Sequence, residues 1–261
     1  MARVKLDKAR VLIYDIETSP NLAYTWGKWQ QDVIRFEQEW YILCFAYKWL
    51  GEKQTYVVAL PDFELYKKDP TNDKEVVKKL RELFEEAHIV IAHNGDKFDQ
   101  KKAQARMLVH GMQPPSPYRQ MDTMKIARKY FNFNSNKLDD LGETLGVGRK
   151  AETGGFKLWL GCMNGVKSAW DKMKRYNRQD VILLEKIYLA MRGWVVSHPG
   201  LNVIEGKTEA CPKCGITGYM HRNGVVQNRV TVVQKWKCEN CGGHSRARLS
   251  TAQETKVKFV N

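Results

Sequence analysis

The chain has 261 residues, 43% hydrophobic and 11% aromatic, and its 43 Lys and Arg against 29 Asp and Glu give a formal charge of +14. That apolar content supports a packed core and excludes a disordered chain, and the length suits one domain plus a small appendage. The basic excess is spread along the chain; it favours a polyanionic partner, although a basic solvated surface also fits it. No stretch approaches ~18 uninterrupted apolar residues and the opening segment MARVKLDKAR has no apolar leader core, so a soluble cytoplasmic protein without a membrane partner is expected.

In chain order, residues 10–15, 41–48 and 54–60 are short and rich in β-branched and aromatic side chains, which predicts a first β-meander. Val76, Val77, Leu80, Leu83 and Phe84 share one helical face, predicting a helix over Lys74–Ala87. HIVIAHN (88–94) reads as a fully buried strand ending in a turn, followed by a helix from Phe98 to about His110. A short strand over Tyr118–Met121 and helices near 122–131 and 136–146 come next, the latter with Asn136 as N-cap. A long helix covers Trp170–Met191. This order predicts an α/β layer fold, a mixed sheet flanked by helices. GWVVSHPGLNVIEG then reads as a linker. The expected division is a main domain over 1–195, a linker over 196–207, and a small β unit with a basic tail over 208–261.

VLIYDIETSP ends its apolar run on Asp15 and Glu17. Residues i and i+2 of a strand share a face, so both carboxylates point to one place, where a cation or a proton must relieve their repulsion. A lone D-x-E at a strand end also suits two acids that simply reach solvent. AHNGDKFD adds Asp99 in the first turn of a helix, where the dipole tolerates negative charge and a plain helix-start role is an alternative; Asp96 reads as turn chemistry. In RYNRQDVILLEKIY, Tyr176 and Asp180 are i and i+4, on a stripe continuing into Leu183, Leu184 and Ile187. An acid on an inward stripe is costly unless something positive meets it. Four converging carboxylates would suit hard divalent cations, Mg²⁺ or Mn²⁺, at a phosphodiester.

These three segments resemble, in order, the motifs of the DEDD (DnaQ-like) superfamily of 3′-to-5′ exonucleases on the ribonuclease-H-like fold. HNGDKFD has the N-x3-F-D form of family B DNA polymerase proofreading domains, and the resemblance covers roughly residues 8–192. It implies that Asp15 bridges two metal ions, that Glu17 and Asp180 hold the one binding the attacking water, that Asp99 supports the second, and that Tyr176 orients the water. Arg175 stands where the histidine subclass would place its base, so the tyrosine subclass is implied. With no room for a polymerase, the layout resembles stand-alone exonucleases encoded by bacteriophages, which would place the protein in a bacterial cytoplasm.

Around the motifs, Thr18, Asn94 and Phe98 are candidate substrate contacts. Trp26 and Trp29, with Tyr24 and Lys28 among them, either stack unpaired nucleotides or pack beneath a loop. Lys101, Lys102, Lys125, Arg128 and Lys129 are candidate phosphate contacts or plain solvated side chains. His93 is expected to cap its strand end.

CPKC (Cys211, Cys214) and CENC (Cys238, Cys241) stand 23 residues apart around a β-hairpin pattern. Four thiolates suit one structural Zn²⁺ in a zinc ribbon, with disulfides or a redox pair as the alternatives; His221 and His244 are not needed as ligands. Residues 201–261 hold 10 Lys and Arg against 4 Asp and Glu. A basic ribbon fits a nucleic-acid or protein docking module. The expectation is therefore a metal-dependent exonuclease on mainly single-stranded DNA 3′ ends, with a replication or repair protein as a further partner. A non-catalytic DNA-binding protein on the same fold, or an RNase or endonuclease with the same site, are the alternatives.

Overall fold

In a computed structural model that describes residues 8–29, 32–227 and 231–246, β1 (Val11–Thr18) is buried from Val11 to Tyr14 because it lies at the centre of its sheet. Its neighbours are β4 (Ile42–Trp49), antiparallel, and β6 (Ile89–Ala92), parallel. β5 (Tyr56–Ala59) and β7 (Arg119–Asp122) complete the order β5-β4-β1-β6-β7. The meander, the later parallel strands and hence the expected mixed sheet are all present. Between β1 and β4 the chain forms a hairpin, β2 (Leu22–Tyr24) and β3 (Arg35–Gln38), that sequence reading missed.

Helices fill the connections: α1 (Leu65–Lys68), α2 (Lys74–Glu86), α3 (Asp99–Val109), α4 (Thr123–Tyr130), α5 (Leu138–Thr144), α6 (Lys157–Met163) and α7 (Lys167–Met191). The predicted face of α2 is buried in full, with Tyr14 meeting Phe84 edge-on at 5.1 Å. Each such side chain contributes about 1.5–3 kcal/mol on removal from water. The fully buried Asp73 ahead of α2 accepts from Ile42 N–H (2.8 Å) and from Arg106 Nε (2.8 Å), with His110 Nε2 2.6 Å away, so its charge is paired.

Asn136 does not cap α5. The cap position is Lys137, and it is Ser135 that turns the chain, its hydroxyl donating to Asp140 Oδ2 at 2.5 Å and accepting from Lys137 N–H. The Asn136 backbone carbonyl accepts from His93, while its buried side-chain Oδ1 meets no hydrogen-bond donor among the described residues. The helix also stops earlier than expected, before Gly146 at φ 65°.

The chain divides into two compact units, residues 10–128 with 133–187, and residues 1–9 with 129–132 and 188–261. In the second, a 3-10 turn at Arg192–Trp194 precedes the expected linker stretch, which contains α8 (Leu201–Ile204). A three-stranded sheet follows, β8 (Met220–Gln227), β9 (Val232–Cys238) and β10 (His244–Arg246), in the order β10-β9-β8. The basic tail beyond Arg246 lies outside the described residues.

Candidate metal and nuclease site

The alternation of β1 puts Asp15 and Glu17 on one face, opposite Ala46 and Cys44 of β4, just before the ladder shifts register between Glu17 and Thr18. From α7, Asp180 reaches the same place, and one carboxylate oxygen from each of the three acids lies within 4.8 Å of the others. Asp99, the fourth expected acid, stands outside that closest group. It is 2% exposed at the first turn of α3, and its Oδ1 accepts from Ile16 N–H at 3.1 Å, tying α3 to the strand that carries Asp15 and Glu17.

Three further side chains complete the arrangement without having been singled out in the sequence. Asn177, fully buried on α7, donates through Nδ2 to Asp15 Oδ2 (2.7 Å) and to the Asp15 carbonyl (3.3 Å). Lys150, in the loop after α5, places Nζ 2.7 Å from Asp180 Oδ2 and 5.1 Å from the Tyr176 ring centroid. Its backbone N–H is fixed by Asp139 Oδ1 at 2.7 Å. Trp159 of α6 bonds Glu17 and meets Tyr176 edge-on.

Burial dominates the electrostatics. It pushes Asp15 well above the usual carboxylate range, helped by Asp99, Glu17 and Asp180, and pushes Glu17 up to about 8, helped by Asp180 and opposed by Lys150. Asp99 is raised by burial to about 7, opposed by the Ile16 N–H bond. Asp180 is raised by burial, opposed by the Lys150 ammonium and by hydrogen bonds from the Lys150 and Tyr176 side chains. The Tyr176 phenol is raised by burial and by Asp180, so it stays neutral. One ammonium facing several carboxylates leaves the cluster short of positive charge. Clustered hard oxygens of this kind fit divalent Mg²⁺ or Mn²⁺.

The loop between β6 and α3 is held by its own network. Asn94 takes a left-handed conformation (φ 62°), and its N–H donates to Asp122 Oδ1 at 2.9 Å. Asp122 also accepts from Met124 N–H and so caps α4. A Cβ on Gly95 would lie 2.5 Å from Ala92 Cβ, so only glycine fits there. Asp96 pairs with Lys125, and His93 donates from Nε2 to the Asn136 carbonyl (3.0 Å) while Nδ1 accepts from the Thr123 hydroxyl (2.8 Å). His93 is thus a structural clamp.

Thr18 is half-buried at the β1 shift, and Phe98 is 39% exposed directly before Asp99. Trp26 and Trp29, on the segment joining β2 to β3, are 90% and 74% exposed, with Tyr24 exposed beside them and Lys28 5.0 Å from the Trp29 ring centroid. Neither ring is packed beneath a loop. Lys102 is turned onto the Trp40 ring at 3.4 Å, whereas Lys101, Arg128 and Lys129 are exposed.

In the other unit, Cys211, Cys214, Cys238 and Cys241 bring their sulfurs within 4.8 Å of one another. The 211–241 and 214–238 separations are 3.8 and 3.7 Å, far beyond a disulfide (~2.05 Å). They match the ~3.8 Å edge of a tetrahedron built on Zn–S distances of ~2.3 Å. Each knuckle is closed by a glycine at positive φ, Gly215 or Gly242, whose N–H returns to the carbonyl of the first cysteine. The donor set fits one Zn²⁺, with His221 and His244 outside it.

The family model of the RNase_H superfamily matches residues 37–192, more than half of the chain. The chain belongs to the RNase_H superfamily. The matched stretch contains Asp99, Tyr176 and Asp180, and the central strand of the same sheet supplies Asp15 and Glu17 ahead of it. A DNA polymerase III PolC-type from Ureaplasma parvum serovar 3 is 29% identical over 51% of this chain and 9% of its own length. The family B DNA polymerase of the hyperthermophilic archaeon Pyrobaculum calidifontis shares the fold, with TM-score 0.52 at 15% identity over 76% of this chain and 27% of that one. The RNase_H superfamily chain thus spans a small part of either relative. Among the described residues no helix is long and apolar enough to cross a membrane.

Proposed function

We propose that the chain is a two-metal-ion 3′-to-5′ exonuclease acting mainly on single-stranded DNA in the cytoplasm. The observation that carries this reading is the group of Asp15, Glu17 and Asp180 oxygens within 4.8 Å of one another, with Asp180 buried, in an RNase_H superfamily domain. Asp15, Glu17 and Asp180, with Asp99 beside them, would hold Mg²⁺ or Mn²⁺. Such ions, when bound, supply a nucleophile at neutral pH and stabilise the leaving oxygen.

The chain's own residues do the rest. Asn177 fixes the Asp15 carboxylate through Oδ2, and Asp99 ties α3 to β1 behind it. The neutral Tyr176 phenol is suited to orienting a water rather than deprotonating it. Lys150 balances Asp180 and brings positive charge to the place where a phosphate would arrive. Trp26 and Trp29 stack unpaired bases, and Thr18, Asn94 and Phe98 contact the terminal nucleotide. Residues 1–195 form the nuclease domain, 196–207 a linker, and 208–261 a zinc ribbon that helps hold the substrate.

The test is a comparison of substrates with Mg²⁺ or Mn²⁺: 5′-labelled linear single-stranded DNA, circular single-stranded DNA and RNA. A ladder shortening from the 3′ end of the linear DNA, with the circle intact, supports the reading. Cutting of the circle would make the protein an endonuclease, preference for RNA would make it an RNase, and no cleavage would leave a binding module.

A further inference from the structure

In the three-stranded sheet, His221 of β8, Lys237 of β9 and His244 of β10 stand directly opposite one another in one cross-strand row, all exposed. Two residues along, Lys235 pairs with Arg246. Because alternate residues of a strand share a face, all five lie on the same side of the sheet. Glu239, 3.3 Å from His221, is the acid that meets this row. The neighbouring row, Arg222–Trp236–Ser245, lies on the opposite face, where Arg222 sits over the Trp236 ring at 5.9 Å.

Placing the cations Lys235 and Arg246 directly opposite one another across a sheet, with Lys237 two residues along the same face, is unfavourable. A polyanion laid over the face would turn that repulsion into attraction and release its condensed counterions. We infer that the Lys235, Lys237 and Arg246 face of the ribbon is a grip for the phosphate backbone of a single-stranded nucleic acid, sequence-independent and separate in residues from the acid cluster. The inference rests on the exonuclease reading only for the identity of that strand.

The experiment is fluorescence anisotropy of a labelled oligothymidylate with the full chain carrying Asp15→Asn, so that cleavage does not enter. Zinc content is measured for every variant to confirm that the ribbon is intact. Lys235→Gln/Lys237→Gln/Arg246→Gln is expected to bind about tenfold more weakly, with the log–log salt slope smaller by about 2. Lys237→Gln is compared with Arg222→Gln, which removes the same charge from the other face; the first is expected to weaken binding more than the second. Equal binding and equal salt slopes for the triple variant and its parent would overturn the inference, as would equal losses for Lys237→Gln and Arg222→Gln. A parent that binds an acidic protein and no oligonucleotide would overturn it too. Failure here leaves cleavage by the wild-type chain intact, whereas failure of the exonuclease reading leaves these binding differences intact.

Discussion

Asn177 Nδ2 and Asp15 Oδ2 are 2.7 Å apart, and the amide is fully buried between α7 and β1, with its Oδ1 3.8 Å from the Cys44 sulfur. The amide can only donate at Nδ2, so it holds Asp15 in one rotamer. Replacing Asn177 by Ala should lower the cleavage rate about 10–100-fold, as expected for loss of a residue that orients a metal ligand. The loss should appear as a higher Mn²⁺ requirement. Half-saturation by Mn²⁺ is the measurement; an unchanged value would make Asn177 a packing residue.

The exposed tryptophans give a second expectation. Base stacking is worth about 1–3 kcal/mol per aromatic, so Trp26→Ala and Trp29→Ala should each weaken single-stranded DNA binding by roughly 5–150-fold. Rates at saturating DNA should change little. Steady-state kinetics on linear single-stranded DNA distinguish a rise in KM from a fall in kcat.

The placement of the candidate site was readable wherever it had a local period. Asp15 with Glu17 follows strand alternation, Tyr176 with Asp180 follows the helical repeat, and the cysteine knuckles follow their own spacing. Asn177, Lys150 and Asp122 carry no such signal. Asn177 meets Asp15 across 162 positions of sequence, and Lys150 looks like any other loop lysine until the fold sets it beside Asp180. Asn136 misled because Ser135, one position earlier, is an equally good local partner for α5, and the helix starts one residue later than expected, with Lys137 at the cap position. β2–β3 was missed because its apolar residues are exposed rather than paired with a core.

His93 predicts a pH effect on stability. Burial lowers it from the ordinary 6.5 to about 4, so the unfolded chain takes up a proton first as pH falls and stability drops from about pH 6.5 down to about pH 4. The shift corresponds to at most about 3 kcal/mol. The raised carboxyls of Glu17 and Asp99 act in the opposite direction, gaining protons in the folded state. The contribution is therefore read from the difference between wild type and His93→Gln in metal-free thermal melts. The variant should start less stable and lose less between pH 6.5 and 4; parallel curves would contradict the assignment.

For the cysteine group, metal analysis of purified protein should find about one zinc per chain, lost in Cys214→Ser. A fully zinc-free wild type that retains its β8–β9 structure would contradict it.

The central claim is that the cluster of Asp15, Glu17 and Asp180, paired with Lys150, is a divalent-cation site. Titration with Mn²⁺, followed by loss of the free-ion electron paramagnetic resonance signal, tests it without a substrate. The account predicts saturable binding of up to about two Mn²⁺ per chain, weakened at least about tenfold by Asp15→Asn or Asp180→Asn. No Mn²⁺ uptake by the wild type, or uptake indifferent to both substitutions, would contradict it.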